Sequence, residues 1–214
     1  NDGLSESSAF ATIRTAALAA QKDVVSVAIL VGDGTYRNPG FGSGSKSNNA
    51  VVSMSHMRDL LLAALPGHSP VIEFDGSAGI TLSNVSGAEI SGFEVAGPNA
   101  RITYDEAKAD RLLHSKYYSG RGIAVWGGDH VTIRNNVVHD APNAGIRINR
   151  GDYCTIEDNE VYNNTWWSSN AESAIVLAES KAVDTSDAIK LVIRRNHVHG
   201  NINKSPYYNA HYDD

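Results

Sequence analysis

A single cysteine, Cys154, stands among the 214 residues, so the chain builds no internal disulfide. Long apolar runs are missing too: nothing in the sequence approaches the roughly 20 residues of a membrane helix. The N-terminus, Asn1-Asp-Gly-Leu, lacks the basic and apolar regions of a signal peptide, and the expectation is a cytosolic chain or an already processed, mature one. Basic charge is in short supply, with 18 Lys and Arg against 24 Asp and Glu and a formal net charge of -6. A nucleic-acid binder needs a basic face, and that class is set aside; a polyanionic sugar in a locally basic groove is not. No CxxC, HExxH or EF-hand loop appears, which argues against zinc. No Pro/Ser-rich linker divides the chain, so residues 1–214 are read as one domain.

What is present is repetition. TIRNNVVHD at Thr132–Asp140, TIEDNEVYN at Thr155–Asn163 and VIRRNHVHG at Val192–Gly200 are copies of one another, the first two 23 residues apart and the next step 37. A repeat of about two dozen residues marks a solenoid. Val131, Cys154 and Leu191 align, as do Ile133, Ile156 and Ile193, and Val138, Val161 and Val198, with variable polar residues between them. A period of two belongs to a strand with one buried face. It also makes Cys154 a small core hydrophobe rather than a nucleophile. A second short strand precedes each copy: Gly122-Ile-Ala-Val, Gly145-Ile-Arg-Ile and Ala174-Ile-Val-Leu, with Ile123, Ile146 and Ile175 inward beside Val125, Ile148 and Leu177. Such a unit cannot bury its apolar face alone and must stack on its neighbours. The predicted fold is all-β: a parallel β-helix solenoid with an N-terminal capping helix and loop excursions.

Two rows test the register. Arg134, Glu157 and Arg194 should stack outward as a ladder of alternating charge, about 4.8 Å per coil. Asn136, Asn159 and Asn196 should stack inward as a ladder of amides that satisfies turn backbone groups. In an earlier coil Ile90, Phe93 and Val95 take the places of Ile133, Asn136 and Val138, so the asparagine stack is expected to begin after it. The alanine-rich stretch Ser8–Ala20 has apolar residues at helical spacing and is predicted to be a helix over 8–20 that lids the first coil. Coils then fill 22–200, with strands expected at Val24–Val31, on either side of Pro66-Gly67 between Met57 and Phe74, and between Ile80 and Val95. Residues 201–214 are read as a tail or the start of a missing coil. Missing C-terminal coils or a second chain are expected at that open end.

These residues resemble the right-handed parallel β-helix superfamily of pectate-lyase-like, carbohydrate-active proteins. The opening, Ser8-Ala-Phe-Ala-Thr-Ile-Arg with Ala16, Ala17 and Ala19 and then Val31-Gly-Asp-Gly-Thr-Tyr36, is similar to the cap helix, first strand and GTY turn of its secreted bacterial members. The later coils match its GIxVxxGxxxTIxxNxV pattern, and the likeness covers roughly residues 8–200. It implies a secreted or cell-surface location, an extended polysaccharide substrate and often calcium, for which Glu172 is the candidate ligand. The superfamily holds lyases, hydrolases, epimerases and non-catalytic adhesins. Neither an Asp-Pro-His motif nor a pectate-lyase aspartate cluster is found here, so no catalytic residue is carried over by motif.

Candidate chemistry is therefore read from the residues. Arg147 is the only charge in the outward row Ala124, Arg147, Val176; it suits a guanidinium binding a uronate carboxylate, or else a solvated surface arginine. Trp126, Asn149 and Ala178 form the next row. Gly120, Asn143 and Glu172 align just before these strands, and Glu172 fits a calcium ligand, a general base or a loop cap. His139 and Asp140 align with Tyr162-Asn163 and His199-Gly200: His139 suits proton abstraction or a rung in a stacking ladder. Three excursions leave the coils. The first, Gly97–Gly122, has a Thr103/Glu106 capping box ahead of a short helix Asp105–Leu113, then His114, Lys116, Tyr117 and Tyr118, residue types that β-elimination uses. The second, Asn163–Ser173, carries Trp166 and Trp167, whose faces suit sugar rings. The third, Asn201–Asp214, carries Tyr207, Tyr208, His211 and Tyr212.

The leading expectation is a polysaccharide lyase acting on a uronate-containing glycan. Arg147 would neutralise the carboxylate, His139, His114 or Lys116 would supply the base, and Trp126, Trp166, Trp167, Tyr117 and Asn143 would hold sugar. A glycoside hydrolase would need two carboxylates about 5 to 10 Å apart, for which Glu172 and Asp140 are the pair. The third reading is a non-catalytic carbohydrate-binding or adhesive β-helix.

Overall fold

Among the described residues of the computed structural model every strand pairing is parallel, and the strands fall into six stacked coils. The described residues are 2–22, 26–42, 49–112, 120–168 and 170–205. Helix α1 (Ile13–Ala20) comes first. Coil one follows with β1 (Val27–Val31) and β2 (Thr35–Arg37), and coil two holds β3 (Val52–Ser55), β4 (Arg58–Ala64) and β5 (Val71–Glu73). Coil three is β6 (Ala78–Ser91) and β7 (Glu94–Ala96); after helix α2 (Tyr104–Leu112), coil four is β8 (Arg121–Arg134) and β9 (Val137–His139). Coil five is β10 (Ile146–Asp152), β11 (Cys154–Glu157) and β12 (Glu160–Tyr162), and coil six is β13 (Ile175–Ala178), β14 (Leu191–Arg194) and β15 (His197–His199).

The coils enclose one core between three faces. On face one Ile80, Ile123, Ile146 and Ile175 are stacked partners. On face two the row is Ile90, Ile133, Ile156 and Ile193, and on face three Val95, Val138, Val161 and Val198. All the inward repeats read from the sequence hold in register. Cys154 is fully buried in this core, and burial pushes its thiol up to about 11, as befits an inert core residue.

A bend between faces one and two is built on left-handed residues: Asn84, Gly127, Arg150 and Glu179 have φ between 51° and 75°, and Gly87, His130 and Tyr153, three residues after the first three of these, have φ between 49° and 66°. Asn and Gly tolerate that conformation; Arg and Glu do so at a cost of about 1–2 kcal/mol. Stacking on neighbouring coils dictates the bend there. Close approach also fixes Gly122, where a Cβ would run into Val138 and the carbonyl oxygen of Gly145.

The asparagine ladder forms as expected. Asn136 donates from its backbone N–H to Asn159 Oδ1 at 3.0 Å, and Asn159 does the same to Asn196 Oδ1 at 3.0 Å. It begins after Phe93, whose N–H donates to Asn136 Oδ1 at 3.1 Å. A second ladder stands at the next corner, where Asn164 donates to Asn201 Oδ1 at 2.9 Å and Ala141 to Asn164 Oδ1 at 2.9 Å. In the charge row Arg194 bonds Glu157 at 2.6 Å, while Arg134 turns to Glu89 in coil three at 2.8 Å.

The lid is shorter than residues 8–20. Thr12 is extended and its Oγ1 accepts the N–H of Thr15 at 3.1 Å, so the helix starts at Ile13; Ile13 and Ala17 join the core. The capping box before α2 is formed in both directions, Thr103 N–H to Glu106 at 2.8 Å and Glu106 N–H to Thr103 Oγ1 at 3.3 Å. At the other end Ile193 is 51 % and Val198 47 % exposed, so no described residue covers coil six.

Candidate functional site

The first two excursions lead from face three to face one of the next coil, the third leaves after face three, and their described residues pack on each other. Ile102 and Ala107 of the first bury Trp167 of the second, with Trp166 alongside. Asn99 Nδ2 donates to the carbonyls of Ala141 and Asn163 at 3.0 and 2.7 Å. From the third, Lys204 N–H donates to Trp166 O at 2.8 Å and Asn203 Nδ2 to Ser168 O at 2.9 Å. These segments make a wall beside face one.

Face one itself carries small side chains in its outward rows. Ser53, Thr81, Ala124, Arg147 and Val176 form one row, and Ser55, Ser83, Trp126, Asn149 and Ala178 the other. Trp126 therefore stands above a low floor, 37 % exposed. Two guanidinium carbons lie near its ring, Arg121 at 5.4 Å and Arg147 at 5.6 Å from the centroid. Desolvated cation–π contacts of this kind are worth about 0.5–2 kcal/mol each.

Glu172 binds the two arginines together where the second excursion returns to β13. Arg121 grips it through Nη2 to Oε1 and through Nε to Oε2 at 2.9 Å. Arg147 Nη1 donates to Oε1 at 2.6 Å, and its Nε and Nη2 donate to Asn149 Oδ1 at 3.0 and 2.7 Å. The Glu172 side chain is 4 % exposed, against 18 % for Arg121 and 14 % for Arg147. Burial pushes the Glu172 pKa up, but the bond and charge of Arg121 and the charge of Arg147 outweigh it and hold the carboxyl below its usual range. Two cations around one anion leave the cluster a net positive charge beside an aromatic ring. Nothing local in the sequence points to this role for Arg121, because its partner lies 51 residues away.

The other candidates fall elsewhere. His139 stacks on Tyr162 at 4.8 Å, and Tyr162 on His199 at 5.1 Å, a ladder along face three. Its Nδ1 lies 2.7 Å from Asp140 and its Nε2 3.2 Å from Glu94. Burial lowers its pKa, but the bonds to Asp140 and Glu94 outweigh that and raise it. Asp140 is thus committed to His139 and shares no described bond with Glu172. Asn143 and Trp167 are buried: Asn143 N–H donates to Gly120 O at 2.9 Å and its carbonyl accepts Thr165 N–H at 3.0 Å. Trp166 is half-buried, with Lys204 Nζ 2.9 Å from its ring centroid. Neither tryptophan of the pair is the exposed one anticipated, because the first excursion closes over them. His114, Lys116, Tyr117 and Tyr118 lie outside the described residues, as do Tyr207, Tyr208, His211 and Tyr212.

The family model described as a right handed beta helix region matches residues 63–213. The chain belongs to the right-handed β-helix family. No curated protein and no solved structure gave a significant match.

Two further properties bear on what this β-helix protein can hold. Calcium asks for six to eight oxygen ligands, and both oxygens of Glu172 already accept from guanidinium groups. The donor set around Glu172 does not fit calcium. A cavity of about 630 Å³ lies at the neighbouring bend, lined by Gly127 and Arg150, the residues that follow Trp126 and Asn149 in the sequence. It crosses coils two to six, and its lining includes His56, Arg58, Asp129, Arg150 and Lys181.

Proposed function

We propose that this protein is a secreted or cell-surface polysaccharide lyase that binds a uronate-containing glycan across face one. The observation that carries this reading is Trp126 flanked by Arg121 and Arg147, with a single carboxylate between the two cations. A pyranose ring stacks on the exposed indole face, and the uronate carboxylate meets the guanidinium edges. Arg147 has five N–H donors, and the bonds to Glu172 and Asn149 use three of them. The basic side chains Arg58, Arg150 and Lys181 along the adjoining cavity favour a polyanion several sugars long.

In β-elimination a base takes the C5 proton, its bonding pair becomes the C4–C5 double bond, and the C4–O bond breaks with the oxygen taking a proton. Paired arginines on the carboxylate lower the cost of charge at C5. Both ring nitrogens of His139 face carboxylates, those of Asp140 and Glu94, so neither is free to take the C5 proton. His114 and Lys116, seven and five residues before Arg121 in the sequence, are the proposed base and acid. A hydrolase reading has less support, since a general acid needs a raised carboxyl pKa and that of Glu172 is lowered.

One observation favours a non-catalytic binder of the same glycan: both described candidates for the base are already engaged, His139 by Asp140 and Glu94 and Glu172 by Arg121 and Arg147. Affinity electrophoresis in gels containing alginate or pectate, on wild type, Arg147→Ala and Arg121→Ala, tests the shared binding step. Retardation that both substitutions reduce supports the site; equal mobility of all three on every acidic glycan removes it.

A further inference from the structure

We propose that Glu160, His197 and His199 form a binding site for one divalent transition-metal ion, with zinc the best fit, on the outside of face three. It stands apart from the glycan reading and uses none of its residues. His197 and His199 are two residues apart on β15, so both rings leave the same side of the strand. Glu160 on β12 lies directly opposite His197 in the parallel pairing.

Three ligand atoms converge there. His199 Nε2 is 3.1 Å and His197 Nδ1 3.7 Å from the same oxygen, Glu160 Oε1. All three ligand atoms lie within 4.8 Å of one another. A tetrahedral ion bound at about 2.0–2.1 Å sets its ligand atoms about 3.3 Å apart. The side chains need only small rotations to reach that spacing, and all are accessible enough to make them. The His199 ring is already held flat against Tyr162, at an interplanar angle of 6°.

Ligand chemistry selects the ion. Two imidazoles and one carboxylate suit zinc and its neighbours rather than calcium or magnesium, which want oxygens. The fourth position falls to water. Because Glu160 belongs to coil five and the histidines to coil six, the ion would clamp the last described coil to the one beneath it. That is the coil whose core residues Ile193 and Val198 are exposed. No local motif announces the site, since its ligands are split across a 37-residue step of the repeat.

Calorimetric titration of the full chain with zinc chloride in a non-chelating buffer, paired with thermal unfolding, tests the proposal. Wild type should bind one equivalent and gain Tm. Glu160→Gln and His197→Ala should each weaken binding at least tenfold, since changes outside the ligand shell alone cost about 10- to 100-fold, and should abolish the Tm gain. Circular dichroism shows whether each variant is folded. A folded wild type that takes up no zinc, or zinc binding unchanged in both variants, overturns the site.

Discussion

Arg147 and Glu172 lie 25 residues apart in the sequence and meet at 2.6 Å, coil against excursion. Arg121 closes on the same carboxylate from coil four. The contact joins floor to wall, because Arg147 is part of face one and Glu172 is the last charged side chain before β13. It holds both guanidinium groups beside Trp126, where an acidic sugar would find them already oriented.

Replacing Glu172 with Gln should separate the two roles of this cluster. Two largely buried cations would lose their anion, and breaking such a pair costs about 3–5 kcal/mol; the amide retains one acceptor, so a loss of about 2–3 kcal/mol in urea unfolding is expected. Affinity for an acidic glycan should rise at the same time, since the competing carboxylate is gone. A variant as stable as wild type would show that the ion pairs contribute little.

Acid and alkaline limbs of stability should belong to different residues. Burial raises and the arginines more strongly lower the Glu172 pKa, so its contribution is complete above the unfolded value near 4.3 and is lost as pH falls through the lower folded value. His139 has a raised pKa; its contribution is complete below about 6.5 and is lost as pH rises through the higher folded value. Urea unfolding across pH should show Glu172→Gln flattening the acid limb. His139→Phe, which keeps a ring against Tyr162, should flatten the decline that sets in above about pH 6.5.

Trp126 and Trp167 should behave differently. Trp126→Ala should weaken glycan binding about tenfold, the upper end of a stacking contribution, and cost about 1–2 kcal/mol of stability through its two partly exposed cation–π contacts. Trp167→Ala, at a buried position between excursions, should cost about 3 kcal/mol or more. Equal effects of the two on affinity would contradict the assignment of the sugar-stacking role to Trp126.

Asn159 is the middle rung of the ladder. Its Nδ2 donates to Ile133 O and Glu157 O at 3.0 Å each, and its Oδ1 accepts from Asn136. Asn159→Ala leaves these buried groups unpaired, at about 1–3 kcal/mol each, and a drop of at least 2 kcal/mol is expected. Asn196→Ala, at the exposed end of the ladder, should cost less.

The coils were legible in the sequence because stacking makes one residue's neighbours its own equivalents. Ile133 predicts Ile156, and Asn136 predicts Asn159, so register could be read without coordinates. The Asn164–Asn201 ladder could have been found the same way, by extending the alignment two residues past His139, Tyr162 and His199 into the corners. The site was harder to see because it depends on excursions, where no repeat constrains the chain. Nothing in Asn163–Ser173 announces that Trp167 is buried while Trp126 is exposed. The Arg121–Glu172 pair likewise joins residues that no periodicity relates.

The most direct test of the account is the ultraviolet absorbance of the unsaturated product during incubation with alginate, pectate, glycosaminoglycans and ulvan. The account predicts a steady rise on one acidic glycan with wild type, and loss of most of that rate in Arg147→Ala that remains folded. No rise on any of them with a folded wild-type chain would contradict lyase activity on these glycans. If affinity gels still showed retardation, the arginine and tryptophan cluster would stand as a binding site alone.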